Sequence, residues 1–380
     1  MVWKKFERFF GSGSHAKAEA AFTPSPIEDA VKWIPAEKNP WRVAVLDVRG
    51  VTQTRRSASR DERCAINAQS MMSEDGEAFR GISPSDSRTV AADLSYPVAE
   101  GLNEGVLFAP AQMEHKWGIY FLEGALIFVR SWQREVLVVA RTRLHGSELH
   151  IEEVIGRFRS DERPEITLRT VDFLLRTHAL GLVFPAPILD DEAVEADSVG
   201  LLCFSAFGNL ALYAAPTEIP WQTPEYPLRT DSLLHIAVAR GDLKGAGDAL
   251  AMGVPIDSLA QDGLAALHWS VAREDTAASA WLLHNGASVD VRSLEGATPL
   301  MNAVQARATD HLGLLLAHGA AADARDHKGF TALHRAAEMG EVEIARALLA
   351  HGADPKVEAQ GCTPKSLANM RDHDELAALL

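Results

Sequence analysis

Cysteine is scarce in this chain: Cys64, Cys203 and Cys362 are the only three in 380 residues, far apart and odd in number. No Cys-x-x-Cys pair occurs. This fits free thiols in a reducing compartment better than a disulfide framework, and a cytoplasmic location is expected. Long hydrophobic runs are also missing. No stretch approaches the roughly 18 apolar residues of a membrane span. Charges interrupt Met1 to Phe10, so no secretory signal is read there. Trp3, Phe6, Phe9 and Phe10 do share one helical face. That face is expected to dock on its own domain, with a membrane surface as the alternative.

Positive charge is in deficit, with 37 Lys and Arg against 52 Asp and Glu, a net charge of −15. Residues 229–380 hold 13 of the basic and 20 of the acidic residues, which leaves 24 and 32 for the rest; the two parts carry −7 and −8. Neither offers the basic face that DNA or RNA requires, so nucleic acid is not an expected partner. An acidic surface suits a basic protein.

Catalytic signatures are absent as well. There is no Gly-x-Ser-x-Gly elbow, no His-Glu-x-x-His, no phosphate-binding Gly-Lys-Ser/Thr loop and no Gly-x-Gly-x-x-Gly after a strand. His115, His145, His150 and His178 accompany Cys64 and Cys203 in the first half. Cys203 lies in the apolar run Leu201-Leu202-Cys203-Phe204, the setting of an inert buried thiol, while Cys64 reads as exposed. Asp190, Asp191, Glu192, Glu195 and Asp197 read as a solvated acidic loop, a divalent cation being the alternative. Trp117, Tyr120 and Trp132 read as packing residues. No catalytic residue, metal ligand or cofactor is assigned, and no small molecule is indicated.

What is present divides the chain in two. A length of 380 residues favours two domains. Residues 1–23 read as a tail with a Gly11-Ser12-Gly13-Ser14 tether. A short helix is expected over Ile27 to Trp33, a strand over Trp41 to Val48 and a charged helix over Ser59 to Met72. Trp117 to Phe121, Ala125 to Trp132, Val136 to Leu144 and Leu149 to Phe158 are β-rich runs separated by short turns, an antiparallel meander. In the third run Ala140, Thr142 and Leu144 alternate with Arg141 and Arg143. Ile166 to His178 reads as a helix, and Ser198 to Ala214 as a helix followed by a strand. Residues 24–215 are expected to form an α+β domain. Pro216, Pro220, Pro224 and Pro227 then predict an extended linker over 216–228.

From residue 229 a sentence repeats every 33 residues. Asp262-Gly263-Leu264-Ala265-Ala266-Leu267-His268 is followed by Glu295-Gly296-Ala297-Thr298-Pro299-Leu300-Met301, then by Lys328-Gly329-Phe330-Thr331-Ala332-Leu333-His334. Such a period means stacked supersecondary units. Leu234-His235 belongs to the same series, and Gly361-Cys362-Thr363-Pro364 opens a fifth unit one residue early. Paired leucines (Leu282-Leu283, Leu315-Leu316, Leu348-Leu349) precede Asn285-Gly286-Ala287, His318-Gly319-Ala320 and His351-Gly352-Ala353-Asp354. Thr caps a helix, Pro follows where no donor is needed, and Gly ends the second helix. These residues resemble the ankyrin-repeat family over 229–380. Met301 departs from the expected His, Ala265 and Ala332 break the full motif, and the end units are degenerate.

The whole is therefore expected to be an α+β multidomain chain: an N-terminal antiparallel β-meander with helices, then a C-terminal all-α ankyrin-repeat solenoid. The resemblance implies protein–protein recognition through turn tips and the first-helix face. Carried over by position, that surface comprises Ile236, Arg240, Leu264, Trp269, Arg273, Leu294, Gln305, His327, Phe330, Arg335, Glu338 and Met339, beside Gln261, Asp262, Glu295 and Lys328. Binding that neutralises a basic partner is the finer expectation. An enzyme in the N-terminal domain, delivered by the repeats, is the alternative.

Overall fold

The computed structural model describes residues 31–57, 59, 61–99, 102–160, 162–188 and 196–380. The helical face at residues 3–10, the tether, the start of the helix expected at Ile27 and the acidic residues 190–195 lie outside them. The described residues form two compact units, 31–230 and Asp231–Leu380.

The first unit is built on two sheets. Its strands are β1 (Lys32–Ile34), β2 (Val45–Asp47), β3 (Thr89–Pro97), β4 (Gly105–Phe108), β5 (Trp117–Leu122), β6 (Ala125–Arg130), β7 (Glu135–His145), β8 (Glu148–Gly156), β9 (Ala186–Pro187) and β10 (Tyr213–Ala215). Helices α1 (Arg49–Thr52), α2 (Glu62–Met71), α3 (Pro164–Leu174) and α4 (Ala196–Phe207) complete it. The small sheet runs β1–β2–β10–β9; within this unit the large sheet runs β4–β5–β6–β7–β8–β3. The expected meander β5 to β8 is antiparallel throughout. Its first turn uses Glu123 and Gly124 at φ 50° and 69°, the doubly left-handed turn whose twist suits a hairpin.

All six residues of β5 are buried because the sheet is covered on both faces. On one face Trp117, Ile119 and Phe121 join Phe128, Val171, Phe173, Cys203 and Phe207. On the other, Phe79 meets Tyr120 with ring centroids 5.4 Å apart. Gly118 permits this closeness: a Cβ there would stand 2.8 Å from Met71 Cε. Fully burying one such aromatic stabilises by about 1.5–3 kcal/mol.

Several expectations change. Residues 32–34 form β1 rather than the end of a helix, paired with β2 from Lys32 against Asp47. The strand expected from Trp41 shrinks to Val45–Asp47, because Asn39 Oδ1 accepts from the backbone N–H groups of Trp41 and Arg42 and turns the chain, Arg42 being left-handed at φ 60°. Strands β3 and β4 were not foreseen. The alternation along β7 is interrupted by an irregularity at Arg141 and Thr142, and Leu144 ends 43% exposed. Helix α3 continues into a π-helical turn, Leu175–Ala179. The proline-bearing stretch after residue 215 forms no helix, and it is strapped to its own unit. Leu228 N–H donates to the Pro97 carbonyl at 2.8 Å, Arg176 donates to the Gln222 carbonyl, and Trp221 stands edge-on to Tyr96 at 5.2 Å.

The second unit consists of helix pairs: α5 (Leu233–Arg240) with α6 (Leu243–Ala251), α7 (Ala266–Ser270) with α8 (Ala277–His284), α9 (Pro299–Ala306) with α10 (Thr309–Ala317), α11 (Ala332–Met339) with α12 (Val342–Ala350), and α13 (Pro364–Met370) with α14 (Asp374–Leu379). Thr298, Thr331 and Thr363 cap their helices through the hydroxyl, and Pro299 and Pro364 follow at the first helical position. One core of small residues and leucines runs through all the pairs. No helix among the described residues is long and apolar enough to cross a membrane.

Candidate functional site

The turn tips of the second unit are tied into a row by backbone. Leu294 N–H donates to the Gly263 carbonyl and His327 N–H to that of Glu295, both at 2.9 Å. Gly263 and Gly296 are left-handed, at φ 76° and 78°. Each also needs to lack a side chain, since a Cβ would come within 2.6 Å of Leu294 and of His327 respectively. The tips are thus closely spaced and presented in register.

Beneath them lies a ladder of imidazoles. His235 Nε2 reaches the Leu264 carbonyl at 3.2 Å, His268 Nε2 that of Ala297 at 3.0 Å, and His334 Nε2 that of Cys362 at 3.2 Å. Nδ1 of His268 and His334 accepts the backbone N–H at the start of its own helix, both at 3.2 Å. These two rings are therefore neutral with the proton on Nε2, while His235 Nδ1 meets the Ser232 hydroxyl at 2.7 Å. Burial pushes His235 and His268 down to about 4, partly offset by the carbonyl each meets. Met301 replaces the ring in the third unit and is buried there.

A second ladder was missed in the sequence although its spacing is also 33. Asp257, Asp290 and Asp323 accept from the backbone N–H groups of Ser288, Ala321 and Asp354, at 3.1, 3.1 and 2.8 Å. The paired His318 and His351 do meet helix-end carbonyls, at 2.9 and 2.8 Å.

The residues expected to touch a partner separate into groups. Leu294, His327, Phe330, Arg335 and Glu338 line one cleft of about 420 Å³ with Glu295, Asp326, Lys328 and His334. Leu294 is 46% exposed, and Phe330, half-buried, stands edge-on to His334 at 5.4 Å. Arg335 braces the cleft floor, donating to Gln305 Oε1 at 2.8 Å and to Asp326 Oδ2 at 3.1 Å. Glu338 is paired with Arg371 at 2.6 Å. Arg273 and Gln305 line a different cleft of about 570 Å³ between the helix-pair loops. Arg273 is engaged internally, on the Ala239 carbonyl at 3.0 Å and on Asp275 at 2.8 Å. Ile236, Leu264 and Met339 are half-buried, and Arg240 is exposed.

Trp269 does not fit the exposed contact expected of it. It is 7% exposed, its Nε1 donates to Asp262 Oδ2 at 2.8 Å, and it packs edge-on against His235. An indole whose N–H is met by a carboxylate at the tip can turn inward, and this one does.

In the first unit, His115 and His178 gather around Phe108, at ring distances of 5.3 and 4.8 Å. Burial pushes them down to about 4 and about 3. Cys203 is fully buried, as its apolar run implied, whereas Cys64 is half-buried on α2 rather than exposed. Among the described residues no group of three or more His, Cys, Asp or Glu could hold a metal.

A family model described as ankyrin repeats matches residues 234–326, 267–359 and 314–380. None of the curated proteins matches the chain. The match covers the units whose caps, glycines and histidine ladder are described above. Residues 234–380 of this chain are ankyrin repeats, a protein-interaction segment.

Proposed function

We propose that the protein works by holding a protein partner in the cleft that joins Leu294, His327 and Phe330. The supporting observation is the exposed Leu294 beside Phe330, ringed by His327 and Lys328 and by Glu295 and Glu338. An apolar centre with a charged rim is the arrangement in which a few anchors dominate binding. The partner segment it suits presents an apolar side chain flanked by charges of both signs. The net charge of −15 supports a basic partner overall. Recognition repeats act by occupying a surface, so the finer reading is that binding neutralises or inhibits that partner.

Affinity capture from the native cell tests this, with the full chain beside Leu294→Arg and Phe330→Ala variants. Arg346→Ala, an exposed change on α12 outside the cleft, serves as control. The partner should be retained by the wild type and the control and lost from both cleft variants. Equal retention by all four proteins would contradict the assignment.

A further inference from the structure

The first unit contains a cleft of about 420 Å³ that no sequence motif marks. Its wall carries Arg56, Lys116 and Arg130 and no carboxylate. A chain of net charge −15 has thus gathered three cations around one space.

Lys116 is the unusual member, at 5% exposure. Its Nζ donates to Ser57 Oγ and to the Met113 carbonyl. It lies 4.0 Å from the Trp132 ring centroid and 5.3 Å from that of Phe204. An ammonium has three donors, so the third has no oxygen acceptor among the described residues. Burial, reinforced by the like charge of Arg130 and opposed by Glu114, pulls the ammonium down to about 8. Glu114 stands beside the cleft without lining it, accepting from the Ser57 backbone N–H at 3.2 Å. Arg130 is fixed across the end of α4 by the Ser205 and Ala206 carbonyls, both at 2.6 Å. Arg56 is exposed.

A buried ammonium with two oxygen acceptors, its remaining face on the Trp132 and Phe204 rings, gains from an anion that supplies a third oxygen and a countercharge. Concave sites with aromatic walls and a few convergent polar groups are the usual form of small-molecule sites. We propose that this cleft binds a small organic anion, its carboxylate or phosphate group on Lys116 Nζ and Arg56 and its apolar body against Trp132 and Phe204.

Isothermal titration of the full chain with phenyl phosphate, benzoate and neutral benzyl alcohol tests the proposal. At least one anion should bind saturably with Kd below about 1 mM. Benzyl alcohol should bind at least about tenfold more weakly, for want of charge-assisted hydrogen bonds. Saturation by phenyl phosphate alone would identify the head group as phosphate; saturation by benzoate would identify it as carboxylate. Lys116→Met should weaken the bound anion about tenfold or more, and Arg56→Gln about threefold. Circular dichroism checks folding, and Arg56→Gln, an exposed change, decides the matter alone if the lysine variant does not fold. The proposal is overturned if neither anion saturates by about 10 mM, or if binding is unchanged in the folded variants.

Discussion

The two units bury themselves by opposite routes. The first relies on large, individual side chains: Trp117, Tyr96, Tyr120, Phe128 and Phe173 are among its fully buried residues. They are brought together by pairings such as β3 with β8, about sixty positions apart in the chain. The second relies on alanine and leucine and on hydrogen bonds that recur from one repeat to the next. Each contact there is modest, and stability is a sum over neighbours. The difference teaches that damage in the first unit should be local and severe, and damage in the second graded.

The largest expected effect lies in the first unit. Phe128→Ala should cost about 3–5 kcal/mol, the usual penalty for emptying an aromatic site in a packed core. Urea unfolding of the full chain measures it. A loss below about 1 kcal/mol would mean the sheet tolerates the cavity as a repeat would.

Acid should act more on the first unit than on the second and so sharpen the contrast. Imidazoles protonate near 6.5 when exposed, but burial holds His115, His235 and His268 to about 4 and His178 to about 3. At these four rings the unfolded chain binds more protons than the folded one between those values. Burial, by contrast, raises Asp231 to about 7 and Asp262 to about 6, so in the second unit the folded chain holds extra protons there that offset His235 and His268. The stabilisation from the rings is complete above 6.5 and fades as pH falls toward 4 for three of them, and toward 3 for His178. Hydrogen exchange at pH 7, 5.5 and 4.5, resolved by segment, should show protection falling around His115 and His178 in the first unit and changing less in the second, where Asp231 and Asp262 oppose the rings. Constant protection in the first unit would contradict the burial of its rings.

Within the stack, His268→Ala leaves the Ala297 carbonyl without its imidazole and should cost about 1–3 kcal/mol. Met301→His tests the same ladder in reverse: it should be tolerated only if the ring finds the carbonyl one repeat on. Asp290→Ala removes an exposed rung and should cost about 0.5–1.5 kcal/mol in the same unfolding assay. Leu294→Arg should change stability least, within about 0.5 kcal/mol, because nearly half of the residue is already exposed.

Legibility in the sequence follows the same division. The repeats could be read because their contacts recur at a fixed spacing, from Leu267-His268 to Leu333-His334. The meander could be read because Glu123-Gly124 and Gly146 announce its turns. Strand β3 could not: its partner is distant, and Asp93 and Pro97 argue locally against a strand. Lys116, Trp132 and Phe204 meet only through the fold, so no spacing marks their cleft. Trp269 departs from the expected contact surface because the carboxylate that turns it inward, Asp262, sits seven residues earlier on a tip that itself resembles a contact.

The proposal that the tips and first helices around Leu294 and Phe330 hold a protein is checked by hydrogen exchange on the full chain, alone and with the captured partner. New protection is expected at 294–297 and 327–339, absent in the Leu294→Arg variant. Protection confined to other segments, or unchanged by that substitution, would contradict it.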